Sequence, residues 1–327
     1  MLDLVFVVVF LAILFDISNG YNDAANAIAT VVSTRVLKPL HAVLLAGFLN
    51  VLGAFMTTAV AKTIGKGVVD PTAITEGVVA AALLAGFLWN TAMTRLGLPV
   101  SASHALIGGL IGASISHGGL AILNTHGLTI IFLSLLLSPV FGILFGYVFM
   151  RFILALFGNL STSSVNKYFG KLQIVSASFM AFSHGSNDAQ KVMGIITLSL
   201  VSGGYLNSVE VPFWVILACA IAMGLGTALG GWKVIKTMGV SMLKLEPVHG
   251  FAAETSATVV ILGASHLGLP VSTTHVIATA IMGVGSTKRL TAVRWGIGTK
   301  IIKAWIFTLP ACAVASWLMY KVVAVLV

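Results

Sequence analysis

This sequence is short of charge. Asp, Glu, Lys and Arg make up 8% of its 327 residues, against roughly 25% in a water-soluble domain. Such a chain cannot cover its own surface in water, which excludes a soluble enzyme or binding domain. Cysteine is scarce as well. Cys219 and Cys312 both lie in apolar runs, which fits small packing residues and not a disulfide framework or a zinc site. The opening "MLDLVFVVVF" lacks a basic n-region and a small-residue cleavage site, so it reads as a first membrane segment and not as a removable signal. Long polar linkers and β-barrel alternation are missing too. The net charge of +9 does not indicate nucleic acid, because the basic residues are scattered singly through short loops and not gathered on one face.

What is there is hydrophobic. Apolar residues make up 58% of the chain. Segments 39–61, 128–157 and 295–327 exceed the roughly 20 residues needed to cross a bilayer. The expected fold class is an all-α polytopic membrane protein.

The chain is also written twice. Asn22-Asp23 recurs as Asn187-Asp188, and "LGLPVSASH" (96–104) recurs as "LGLPVSTTH" (267–275). Pro39 with Gly53 returns as Pro212 with Gly226, and Gly127 with Pro139 as Gly298 with Pro310. The landmarks keep their order. They define a first transmembrane repeat (1–157), a short cytoplasmic linker (158–170) and a second repeat (171–327). Each repeat reads as an apolar run interrupted at Asn-Asp, a span, two arms joined at Gly-Leu-Pro-Val, and a last span. The arms are a re-entrant hairpin or two crossings. Either way each repeat crosses an odd number of times, so the second is inverted, with broken helices and two helical hairpins, the plan of many secondary transporters. Placing both termini outside puts Arg35, Lys38, Arg151, Lys167, Lys171, Lys233, Lys236, Lys244, Lys288, Arg289 and Arg294 inside, and leaves Lys62, Lys66 and Lys321 outside, as the positive-inside rule requires.

Asp23 and Asp188 interrupt runs that otherwise read as membrane helices. A charged Asp there costs about 2.5–3.5 kcal/mol on insertion scales. Asn19-Gly20 and Gly185-Ser186 predict a helix break at each. The Asp can cap the break, or the freed carbonyls can join carboxylate and amide oxygens in an all-oxygen site for a hard cation such as Na⁺. The candidate ligands are Asn22, Asp23 and Asn26 in the first copy, and Asn187 and Asp188 in the second. Lys191 stands where the first copy has Asn26. It is a counter-charge for an anion, a partner of Asp188, or a side chain reaching the interface. At the hairpin tips, Ser101 and Ser103, and Ser272, Thr273 and Thr274, follow a proline and open a helix. Free amides and hydroxyls at a helix start bind anions, or the hydroxyls merely cap. Two such starts near the midplane suit a small tetrahedral oxyanion. His104 and His275 follow the tips and can touch an anion, gate, or satisfy a buried carbonyl. His184 and Asp188 have metal-like spacing without a third ligand. Glu254, an acid inside a hairpin arm, is a candidate for coupling or gating.

At "NGYNDAANA" (19–27), "SHGSNDAQKVMGI" (183–195), "GLPVSASH" and "GLPVSTTH" the sequence resembles the inorganic phosphate transporter (PiT) family, over essentially its whole length. The resemblance implies cation-coupled phosphate uptake through an inverted-repeat fold in the cell membrane, as a homodimer. It implies that the Ser/Thr tips, with Asp23 and Asp188, hold phosphate, and that Glu254 is a sensitive acidic position. The expectation is therefore a Na⁺/phosphate symporter with no cofactor and no nucleic-acid partner. A proton-coupled phosphate or sulfate permease is the alternative, and a channel is a further one. An intramembrane hydrolase using Ser101 or Ser103 with His104 or His275 is a remote one, since both halves keep the same hydroxyl cluster and no GxSxG elbow is present.

Overall fold

The structure, a computed structural model, describes residues 4–70 and 73–326. Positions 1–3 and 327, at the outer edges of the two expected repeats, lie outside the described residues. Among the described residues the only strand pairing is one isolated bridge, Val69 to Leu123. The first six helices are α1 (Leu4–Ser33), α2 (Pro39–Ala54), α3 (Ala59–Gly67), α4 (Glu76–Leu96), α5 (Ala102–Gly118) and α6 (Thr125–Phe157). The next six repeat their order: α7 (Thr162–Ser202), α8 (Phe213–Leu229), α9 (Trp232–Lys236), α10 (Pro247–His266), α11 (Thr273–Ser286) and α12 (Trp295–Leu326). A π-helical turn, Thr237–Ser241, extends α9, and α7 begins within the expected linker. Among the described residues, four helices are long and apolar enough to cross a membrane, or up to six spans if each bent pair counts as one.

The repeats are inverted. Val5 at the start of α1 lies against Gly203 at the end of α7, and Val36 just past α1 lies near Gly170 early in α7. The counterpart helices α1 and α7 therefore run antiparallel. The helix breaks are real, but they are not at Asn-Asp. α1 and α7 pass through Asn22-Asp23 and Asn187-Asp188 as continuous helices of 30 and 41 residues. The bends fall between α2 and α3 (72°) and between α8 and α9 (63°), so 39–61 is not the single straight span its composition indicated. The physical reason lies in what Gly20 and Gly185 do. A Cβ on Gly185 would overlap the backbone of Asn50, and one on Gly20 the backbone of Met223 and Thr227. These glycines permit close helix crossing and do not end a helix.

Each hairpin tip is built by the same local chemistry. Gly97 (φ 72°) and Gly268 (φ 70°) take the left-handed conformation that closes α4 and α10. Pro99 and Pro270 cannot continue a helix, and Ser101 and Ser272 cap α5 and α11 by accepting from the amides of His104 and His275. The two tips meet. Ser103 donates to the carbonyl of Val271, and Thr274 to that of Val100, each at 3.3 Å. The two arm pairs thus touch at their tips.

The last helix of each repeat packs on the hairpin of the other: α12 on α4 and α5, α6 on α10 and α11. Small residues allow this. Gly108 and Gly112 of α5 leave no room for a Cβ against Leu309 and Ala313, nor do Gly142 and Gly146 of α6 against Val276 and Ala280. These are small-xxx-small seams, through which membrane helices gain close backbone packing. α6 also marks the two ends of the molecule. Its first turn lies beside Gly67, next to Lys66, while its last turn joins Lys288, Glu246 and His249 around one cavity. A neighbouring cavity of about 240 Å³ adds Lys244 and Arg289.

Candidate functional site

The antiparallel crossing of α1 and α7 brings the two Asn-Asp pairs together at the hairpin tips. Asp23, His184 and Asp188 offer ligand atoms that all lie within 4.8 Å of one another, and all three are buried. The third partner that the His184/Asp188 spacing lacked in sequence is thus Asp23, supplied by the other repeat. Neither Asp caps a helix end, since both sit mid-helix.

Each Asn is anchored by its amide nitrogen and keeps its oxygen unspent. Asn22 donates to Thr94 (2.6 Å), and its counterpart Asn187 donates to Ser265 (2.9 Å). Thr94 and Ser265 are themselves counterparts, one on α4 and one on α10. Asn26 donates to Thr273 (3.3 Å) and Thr274 (3.1 Å). The side-chain oxygens of Asn22, Asn26 and Asn187 are buried without a hydrogen-bond partner. Buried polar atoms are almost always satisfied, so three unspent oxygens beside two carboxylates describe a set of acceptors for a hard cation.

Of the two hairpins, only the second donates to the carboxylates. Thr273 donates to Asp188 (2.9 Å) and Thr274 to Asp23 (3.1 Å). The first tip has Ala102 where the second has Thr273, and its Ser103 reaches only the Val271 carbonyl. Lys191 is 2% exposed, donates to Asp188 (2.5 Å) and to the carbonyl of Val271 (2.8 Å). It is a partner of Asp188 and does not reach for the interface. Asn26 and Lys191, counterparts in the two repeats, both contact the second tip. The site is therefore skewed towards that hairpin, although the fold around it is nearly symmetric.

His184 belongs to the cluster. Its Nδ1 lies 2.7 Å from the side-chain oxygen of Asn50, an acceptor. Nδ1 therefore carries hydrogen. Nε2 then faces Asp188 at 3.3 Å and Asp23 at 3.9 Å, and meets two carboxylates favourably only as an N–H donor. His104 and His275 satisfy no carbonyl. Nδ1 of His104 and both ring nitrogens of His275 lack hydrogen-bond partners. Their rings face one another across the tips, with centroids 4.7 Å apart, and His275 stacks on Trp305 at 3.9 Å. Trp305 in turn donates to the carbonyl of Pro99 at 3.0 Å. No Ser–imidazole pair is formed at these positions, so the arrangement offers no activated nucleophile.

Glu254 stands apart from this cluster. Its carboxylate accepts from Thr30 and Ser176, and from Gln173 at 3.2 Å. Thr30 lies seven residues beyond Asp23, about 10 Å along α1. Sequence reasoning missed Asn50, Thr94, Ser265, Thr30, Gln173 and Ser176. Thr94 and Ser265 carried a signal, being small hydroxyl residues at matching places in two apolar arms. Asn50 and Gln173 have no polar counterpart and gave none.

The comparisons with known proteins agree with this geometry. The model of the Phosphate transporter family matches residues 19–162 and 158–316, once per repeat. The chain is 44% identical over 323 residues to a "Probable low-affinity inorganic phosphate transporter" of Bacillus subtilis (strain 168), covering 98% of this chain and 97% of that one. It is 45% identical over 311 residues to a protein of the same description from Rhizobium meliloti (strain 1021), covering 94% and 93%. A solved structure described as "The sodium-dependent phosphate transporter" superposes with a TM-score of 0.92 at 27% identity, over 99% of this chain and 100% of that one.

Proposed function

The chain belongs to the Phosphate transporter family, and from that premise we propose that it imports inorganic phosphate by symport with Na⁺. The observation that carries the coupling ion is the set of unspent amide oxygens of Asn22, Asn26 and Asn187 around Asp23 and Asp188. A proton site needs no such set, whereas Na⁺ takes several oxygen ligands at once.

The hydrogen bonds supply a coupling mechanism. Thr273 and Thr274 each have one hydroxyl proton, and it now points at a carboxylate. Na⁺ bound at Asp23 and Asp188 takes over those carboxylates and frees both protons. Phosphate entering between the tips then accepts from Thr273, Thr274 and Ser103 and from the helix starts beside them. Without Na⁺, phosphate meets the Asp23 carboxylate, which has no lysine partner as Asp188 does, and the hydroxyl donors stay turned to the acids. A pair of unit charges 4 Å apart repels by about 4 kcal/mol at an effective dielectric of 20. Phosphate thus binds well only after Na⁺. Ser101 and Ser272 contribute through their capped helix starts, their hydroxyl oxygens being committed to His104 and His275. Lys191 keeps Asp188 paired while the hydroxyls change partners.

In the membrane we place both termini outside, because Lys244, Lys288 and Arg289 gather at the opposite end from Lys66, as positive-inside orientation demands. Proton coupling is a second reading, favoured by Glu254, a buried acid caged by three neutral donors. Labelled phosphate uptake into proteoliposomes, with Na⁺ exchanged for choline at fixed pH, decides between them. Uptake should collapse in choline and in Asp23→Asn. Uptake in choline driven by a proton gradient would overturn the Na⁺ assignment.

A further inference from the structure

Asp16 is the one carboxylate of α1 that the site above leaves unused. It is fully buried, at 0% exposure, and neither of its oxygens has a hydrogen-bond partner. A buried carboxylate in that condition is among the costliest arrangements a membrane protein can hold. It either holds a proton or is compensated by a cation.

Its position on the helix is informative. Asp16 lies seven residues before Asp23, and Thr30, which bonds Glu254, lies seven after. Seven residues return an α-helix to the same face within about 20°. Asp16, Asp23 and the Thr30–Glu254 pair thus form one stripe down α1, at steps of about 10 Å. Acidic oxygens line the interior at three levels, and the central one is the candidate transport site.

The surroundings of Asp16 are rich in unspent acceptors. Asn19, three residues on and on the same face, is 1% exposed with its side-chain oxygen unpartnered. Asn90 of α4 is 0% exposed with neither side-chain atom partnered. Phe15 touches Gly86 and Asn22 bonds Thr94, so α1 and α4 run parallel and Asn90, midway between Gly86 and Thr94 on their face, is level with Asn19. From α8 the nearest ionisable neighbour is Cys219, and from α7 the charged groups acting on Asp16 are Asp188, His184 and Lys191. Lys191 is already committed to Asp188 and Val271, and His184 to Asn50 and the central carboxylates. Among the described residues, no cationic side chain is left to pair with Asp16.

We propose that Asp16 and the amide oxygen of Asn19 bind a further alkali cation, at a station on α1 between its N-terminal end and Asp23. Asn90, level with Asn19 on α4 and unpartnered, is the candidate third oxygen. The chemistry is that of Na⁺: a hard cation, a carboxylate and neutral oxygens. This deepens the symport reading and rests on it. The station gives a coupling ion a compensated position about 10 Å short of the transport site.

The test is equilibrium binding of ²²Na⁺ to the purified full-length protein in detergent, with choline as the background salt. Asp16→Asn and Asn19→Ala should each lower the saturating count by one ion per chain. Asp23→Asn should lower it independently, so that Asp16→Asn/Asp23→Asn loses both. If both Asp16→Asn and Asn19→Ala keep the full count while Asp23→Asn loses an ion, the station is refuted and the symport reading stands. If the unmodified protein binds no ²²Na⁺, both fall. Should Asp16→Asn prove aggregated on size exclusion, Asn19→Ala alone decides, since it leaves the carboxylate in place.

Discussion

Replacing Thr274 with valine separates two roles that a single hydroxyl plays. The side chain keeps its branched shape and loses one O–H. The hydroxyl oxygen lies 3.1 Å from Asp23 Oδ1 and 3.3 Å from the carbonyl oxygen of Val100, so its proton is shared between two acceptors. A hydrogen bond to a charged group contributes about 1.5–3 kcal/mol net, and sharing places this one at the lower end, about 1.5 kcal/mol. Because the hydroxyl competes with Na⁺ for Asp23, its loss should raise apparent Na⁺ affinity about tenfold. Because the same hydroxyl serves phosphate once Na⁺ is bound, phosphate affinity should fall by about the same factor. Initial rates of labelled phosphate uptake in proteoliposomes, titrated in Na⁺ and in phosphate separately, measure both. Ser103→Ala is the control. Its hydroxyl donates to Val271 and to no carboxylate, so phosphate affinity should fall with no gain for Na⁺. If Thr274→Val weakened Na⁺ and phosphate together, the exchange of hydroxyl partners would be wrong.

Two further outcomes follow from the packing and the buried charges. Lys191→Met strands Asp188, and removing one member of a buried ion pair costs about 3–5 kcal/mol; a markedly lower melting temperature in detergent is expected, partly restored in Lys191→Met/Asp188→Asn. Gly185→Ala drives a Cβ into the backbone of Asn50, and overpacking of this kind costs about 1–3 kcal/mol; it should lower the melting temperature measured by the same thermal scan.

The duplication and inversion were legible in the sequence because they rest on order, which survives divergence. The hairpin tips were legible because Gly, Pro and Ser carry local rules that tertiary contacts do not override. The Asn-Asp segments misled for an instructive reason. Asn and Gly are read as helix breakers when their neighbours are unknown, yet Asn22 finds Thr94 and Asn187 finds Ser265, both more than 70 residues away. A polar side chain with a distant partner leaves its own helix intact. His184 was underrated for the same reason, since Asp23 and Asn50 reach it from other helices. The skew towards the second hairpin was half visible in the exchange of Asn26 for Lys191. That both would contact the same tip depends on how α1 and α7 cross, which no local pattern encodes.

The cross-packing of the last helices has a mechanical meaning. Because α12 clasps the first hairpin and α6 the second, along seams with no space for even a methyl group, neither hairpin can travel without a helix borrowed from the other half. The packed units are therefore hybrids, α4 and α5 with α12, and α10 and α11 with α6. The ancestral gene was copied as one unit, but the machine it became is divided along a different line.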